Sequence, residues 1–155
     1  MAIGRVVLVL VMLLAPAVSA VAQTVAFGHA ELTVVTGDGR GHVFAVEVAT
    51  SPEQLAQGLM FRKALEPNAG MLFDFGQPRQ VAMWMKNTLI PLDMLFIDRG
   101  GRVIFVEQYA VPGTLQPRGP AEPVLAVLEV AAGTARRLGL KAGDRVEHSL
   151  FKPAP

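Results

Sequence analysis

One stretch of the sequence gathers side chains that could bind a ligand. Residues 83–93 read MWMKNTLIPLD. In an extended strand, Trp84 and Lys86 share a face, which places an aromatic ring beside an ammonium group. Such a pair can hold a flat or polar ligand, and Asn87 and Thr88 add an amide and a hydroxyl. The residue types therefore predict a binding site formed by six residues: Arg62, Trp84, Lys86, Asn87, Thr88 and Asp93.

The same side chains could instead have purely structural roles. Trp84 could cover the core, Lys86 could lay its stem along apolar surface, and Asn87 and Asp93 could hydrogen-bond turn backbone. A pairing of Asp93 with Lys86 or Arg62 would set the charge of the site. The sequence does not choose between these arrangements.

A second hypothesis is an enzyme that hydrolyses an envelope polymer. Asp93 and Glu129 would serve as the acid/base pair, and Lys86 or Asn87 would stabilise developing negative charge. Hydrolysis of a glycoside would require the two carboxyl groups to lie ~5–9.5 Å apart. No nucleophile–base pair is evident in the sequence, so binding is the favoured interpretation and no catalytic residue is assigned.

Methionine supports a third hypothesis, a Cu(I) site. Met83 and Met85 share a strand face and could supply two thioethers, which are soft ligands suited to Cu(I). Packing of flexible methionines in a small core explains the same pattern, so the main expectation is that no cofactor is bound. His29, His42 and His148 share no motif that would indicate a zinc site.

The N-terminus predicts export. Arg5 precedes an apolar run, and Ala20 and Ala22 form a small-residue cleavage site, the pattern of a secretory signal peptide over residues 1–22. The apolar run is shorter than the ~20 residues that cross a bilayer, and the chain has no cysteine to carry a lipid. We expect a periplasmic or secreted protein without a membrane anchor after cleavage, whose partner is an envelope small molecule, glycan or peptide.

Composition excludes two other classes of protein. The chain has 155 residues, 52% of them hydrophobic and 17% charged, with a net charge of +1. Such a chain can bury a core and is not disordered. Nucleic-acid binders are usually strongly basic, so no nucleic-acid partner is expected.

The pattern of the remaining chain predicts a β-dominated α+β domain, either a small antiparallel sheet or a partly closed barrel, with two short helices. We expect an N-terminal segment with the first strand at 23–42, a single globular domain at 43–151 and a tail at 152–155. One helix should begin at the cap Ser51 and the other near Gly133. The predicted strands cover residues 31–36, 42–50, 70–75, 81–86, 93–98, 102–109, 124–130 and 145–151.

Several phrases occur together and in order: VEVATSPEQLAQGLMFRKAL, GMLFDF, MWMKNTLIPLDMLFID, VLAVLEVAAG and LGLKAGDRVE. They resemble the bacterial and archaeal family known as domain of unknown function 192, over about residues 43–148. The resemblance implies a compact, β-rich and often exported domain, and it implies no established activity. The family pattern falls on residues 58–60, Arg62, residues 70–73 and 83–88, Pro91, Asp93, Glu129, Gly133, Gly143 and Asp144.

Overall fold

The structure is a computed structural model that describes residues 25–151. The predicted signal peptide at 1–22 and tail at 152–155 lie outside the described residues. Seven strands and two short helices follow one another along the chain: β1 (Gly28–Val35), β2 (Gly41–Ala49), α1 (Pro52–Gln57), β3 (Ala69–Arg79), β4 (Leu92–Ile97), β5 (Val103–Ala110), β6 (Val124–Ala131), α2 (Thr134–Leu138) and β7 (Arg145–Glu147). Among these residues, no helix is long and apolar enough to cross a membrane.

All seven strands join one curled sheet in the order β5-β4-β6-β3-β2-β1-β7. Neighbouring strands are antiparallel except β2 and β3, which run parallel. Parallel neighbours need a crossover connection, and α1 lies within it. The two edge strands meet at one end, where Arg102 bridges to Arg145 and the Val146 amide donates to the Gly101 carbonyl at 2.7 Å. The β-dominated, partly closed architecture is thus confirmed.

The start of α1 follows the predicted capping pattern. The Ser51 hydroxyl accepts from the Gln54 amide at 3.2 Å, and the Gln54 side-chain oxygen accepts from the Ser51 amide at 3.0 Å. These two bonds satisfy donors that the first helical turn leaves without a partner. Ser51 is therefore occupied in holding the helix.

The predicted strand at 81–86 is wrong. This segment lies outside the sheet and pairs with an irregular loop: Met83 and the loop residue Arg118 exchange two backbone hydrogen bonds of 2.8 Å. The Met85 amide donates to the Thr114 carbonyl at 2.9 Å, and Asn87 then takes a left-handed φ of 54°. A strand needs a strand beside it, and residues 111–119 offer only single contacts. The last strand is also shorter than predicted, because it ends at Glu147.

Two apolar clusters occupy the two faces of the sheet. The first contains residues from all seven strands, including Leu32, Phe44 and Leu128, and fills the inside of the curl, with Ala135 of α2 at its edge. The second lies on the outer face and includes Met71, Phe73, Met94 and Val127, together with Leu59 and Met85 from outside the strands. The outer cluster is the one that opens to a cleft.

Candidate functional site

A cleft of about 390 Å³ opens on the outer face of the sheet. One wall is the end of α1 with the turn that follows it, and the other is the segment 79–84. Gly58 makes the first wall possible, because its φ is 48° and an added Cβ would lie 2.9 Å from the Phe73 ring. Apolar side chains form ten of the sixteen lining residues, among them Leu55, Leu59, Phe73, Phe75 and Val81, and Gln57, Gln80 and Thr88 are among the polar ones.

Trp84 and Thr88 line the cleft. The indole is half exposed, at 51%, so it borders the cleft and does not close the core. The Lys86 ammonium lies 5.3 Å from the centre of the indole ring, within cation–π range. The predicted pair of an aromatic ring and a cation is therefore present, at the edge of an apolar cleft.

Lys86 and Asn87 are exposed and lie outside the lining of the cleft. The Asn87 carbonyl accepts from the Phe61 amide at 2.9 Å, and its side-chain amide nitrogen lies 3.9 Å from the Met60 sulfur. Thr88 is buried, and its hydroxyl donates to the Lys86 carbonyl at 3.3 Å. These contacts fix the turn that carries Trp84 and Lys86.

Arg62 and Asp93 are not brought to this cleft. One guanidinium nitrogen of Arg62 donates to both carboxylate oxygens of Glu47, at 2.8 and 2.7 Å. Asp93 is fully buried on the opposite face, where its two oxygens accept from the backbone amides of Tyr109 at 2.9 Å and Ala135 at 2.8 Å. The sequence left open whether Asp93 pairs with Lys86 or Arg62 or bonds to backbone; the structure shows the backbone bonds, by which Asp93 joins the end of β5 to the start of α2.

Glu129, at the floor of the cleft, belongs to a row of side chains that crosses the outer face of the sheet. The strand register sets Glu129 opposite Met71 of β3 and opposite Met94 of β4. It also sets Met71 beside Glu47, and Met94 opposite Glu107. Directly opposed residues share a face, so glutamate and methionine alternate across five strands, with Glu129 in the centre.

The three glutamates of this row differ in their partners. Glu47 pairs with Arg62 at 2.7 Å, and Glu107 pairs with Arg118 at 3.2 Å. Glu129 is only 4% exposed, no side-chain hydrogen bond or ion pair within residues 25–151 involves its carboxyl group, and that group reaches the open space of the cleft. Burial raises the pKa of Glu129 to about 8. The carboxyl group is therefore mainly protonated at neutral pH and can donate a hydrogen bond into the cleft.

The sequence analysis placed Glu129 in the family pattern and gave it one chemical role, as the partner of Asp93 in a hydrolase. That pair does not exist: Glu129 lies opposite Met94, so Asp93, the preceding residue of β4, points to the other face of the sheet. The two carboxyl groups cannot face one substrate. The sequence feature that sets Glu129 apart is that it is the one charged residue in the otherwise apolar strand β6.

The two methionines proposed for Cu(I) have different surroundings. Met83 lines the cleft, whereas Met85 is fully buried in the outer cluster. Within the described part of the chain, no three His, Cys, Asp or Glu side chains are grouped so that they could hold a metal ion. Met83 and Met85 therefore do not present their two thioethers to one open site.

The solved structures that are similar to this chain include the following two. One, a protein from Sinorhizobium meliloti 1021 provisionally named a transcription regulator, is 45% identical, with a TM-score of 0.80 over 83% of this chain and 99% of its own. The other, a protein of unknown function from Novosphingobium aromaticivorans DSM 12444, is 41% identical, with a TM-score of 0.76 over 88% of this chain and 94% of its own.

A comparison with curated proteins finds no match. The family comparison does: residues 33–148 match DUF192, "Uncharacterized ACR". These residues include both walls of the cleft, Trp84 at its edge and Glu129 at its floor. With three quarters of its length covered, the chain belongs to the DUF192 family.

Proposed function

We propose that this protein is an exported binding module that holds an envelope small molecule, glycan or peptide in the cleft beside Trp84. One observation carries the proposal: a cleft of about 390 Å³ is lined mainly by apolar side chains, and the carboxyl group of Glu129, which pairs with no side chain of residues 25–151, reaches its floor. Ligand sites typically combine such an apolar lining with a few polar groups that fix orientation.

The exposure of Trp84 supports the same proposal. Aromatic side chains supply contact area at small cost in conformational entropy, and this one is half exposed at the edge of the cleft. Its neighbour Lys86 offers a charge for the outer part of a ligand. The export part of the proposal rests on the signal-peptide pattern of residues 1–22 alone.

Native mass spectrometry of the protein purified from its producing cells tests this function. We expect a bound molecule on the wild type that is lost in Trp84→Ala. Leu89→Ala is the matched control, because Leu89 is 54% exposed on the same segment and does not line the cleft. Retention of the molecule by Trp84→Ala, or a bare wild-type polypeptide mass, would refute binding at this site.

A further inference from the structure

We propose that Glu129 is the group that recognises the ligand, and that the ligand is a small neutral molecule with an apolar body and a carbonyl oxygen that accepts a hydrogen bond from the Glu129 carboxyl group. This inference rests on the proposed function, since it specifies the ligand class of the same cleft.

The first support is the position of Glu129 within the sheet. Its neighbours in the row, Met71 and Met94, are both fully buried, and neither thioether is more than a weak hydrogen-bond acceptor. Among the described residues, no side chain pairs with Glu129, and its carboxyl group reaches the open cleft. An atom that enters the cleft, from water or from a ligand, can therefore form the hydrogen bond that the sheet does not supply.

The second support is the charge around the cleft. Among the lining residues, Arg79 is the one charged side chain besides Glu129, and its guanidinium lies 4.7 Å from the centre of the Phe75 ring. Lys86 lies beside Trp84. Glu47 and Glu107, at the ends of the row, each form a salt bridge with an arginine. A cationic ligand would meet Arg79 in the lining and Lys86 at the edge, and it would gain an ion pair with Glu129 only if the buried carboxyl group ionised.

An anionic ligand is disfavoured for a related reason. Its charge would lie beside the neutral carboxyl group of Glu129, whereas the one cation among the lining residues, Arg79, is exposed and held over Phe75. A carbonyl group of a ketone, ester or amide has neither problem. It accepts one hydrogen bond from the protonated carboxyl group and leaves no charge in the cleft.

The test uses two probes of similar shape, neutral N-benzylacetamide and permanently charged benzyltrimethylammonium. Trp84 is the sole tryptophan of the chain, so its emission reports occupancy directly. Met60 and Met83 line the cleft, and their ¹³C-methyl resonances give an independent readout. The methyl resonance of Met85, which is buried outside the cleft, is the internal control.

We expect N-benzylacetamide to bind the wild type at about pH 6.5, and the affinity to fall about tenfold in Glu129→Met, which cannot donate a hydrogen bond. Glu129→Gln should bind within about threefold of the wild type, because its amide also donates. At about pH 9.5 the wild type should lose affinity and Glu129→Gln should not, because only the wild type loses its proton.

The inference is overturned if N-benzylacetamide gives no response, or if the wild type and Glu129→Met bind it equally. It is also overturned if benzyltrimethylammonium binds preferentially, with an affinity that rises with pH and is lost in Glu129→Gln. The last result would assign the site to cations. If the copurified molecule depends on Trp84 but is retained by Glu129→Met, the binding function stands and the role of Glu129 fails. Far-ultraviolet circular dichroism shows whether each variant is folded.

Discussion

Asp93 and Glu129 lie on adjacent central strands, yet their carboxyl groups lie on opposite faces of the sheet. Asp93 accepts two backbone hydrogen bonds on the inner side, and Glu129 lines the cleft on the outer side, where no side chain of the described residues pairs with it. Both carboxyl groups are buried. One of them therefore holds the fold together, and the other is available for binding.

Replacing Asp93 should destabilise the protein without altering the cleft. In Asp93→Asn, the side-chain amide would replace one acceptor oxygen and face the backbone amide of Tyr109 or Ala135. A buried donor without an acceptor should lower the free energy of unfolding by about 2–4 kcal/mol. Urea unfolding measures this loss. Glu122→Gln, at an exposed position, should show no measurable change, and an equal effect in both variants would contradict the assigned role.

Glu129 should make stability depend on pH in a specific direction. Its pKa is raised from 4.5 to about 8 in the folded protein, so the folded state binds one proton more than the unfolded state between these values. Stability should therefore fall as pH rises through this window and level off above about pH 8. Relative to Glu129→Gln, the loss should be on the order of a few kcal/mol. Parallel pH profiles of the two proteins would disprove the raised pKa.

Neighbouring residues 84 and 85 should respond differently to truncation. Trp84 is half exposed, so Trp84→Ala should change the free energy of unfolding by less than about 1 kcal/mol. Met85 is fully buried in the outer cluster, so Met85→Ala should cost about 2–5 kcal/mol. Thermal and urea unfolding of the pair measure the contrast. Global unfolding of Trp84→Ala would mean that the indole serves the core.

The two arginines that pair with glutamates of the row, Arg118 and Arg62, should differ in how much they contribute to the free energy of unfolding. Arg118 is 10% exposed at its side chain, and besides Glu107 it donates to the Thr114 hydroxyl at 2.7 Å. Arg118→Met should cost about 1–3 kcal/mol, because Glu107 and the loop lose their partner. Arg62 is 42% exposed, so Arg62→Met should cost about 0–1 kcal/mol. Equal losses in urea unfolding would contradict this ranking.

Local patterns made much of the fold predictable from the sequence. The Ser51 cap, the alternation in β2 and the apolar run of β6 each report a local preference, and all three are found in place. The segment 81–86 has the composition of a strand, but a strand is defined by its neighbours, and this one contacts a loop. Such pairings join residues that are distant in sequence, so the local sequence pattern does not reveal them.

The candidate site was predictable only in part. Trp84 and Thr88 line the cleft as their residue types suggested, and Arg62 and Asp93 do not. Both of these have partners distant in sequence, Glu47 for Arg62 and the amides of Tyr109 and Ala135 for Asp93. The recognition role proposed for Glu129 depends on which face of β6 opens to the cleft. That face is decided by how the whole sheet packs, and not by the local sequence.

The strand order has a consequence for the synthesis of the protein. β6 is the sixth strand to be made, yet it lies in the middle of the sheet, between β4 and β3. Until Val124–Ala131 has left the ribosome, β3 and β4 each have an open edge and the two halves of the sheet cannot join. The nascent chain thus stays incompletely folded until nearly all of it has been made. A product that stops before residue 124 is an aggregation hazard and not a smaller domain.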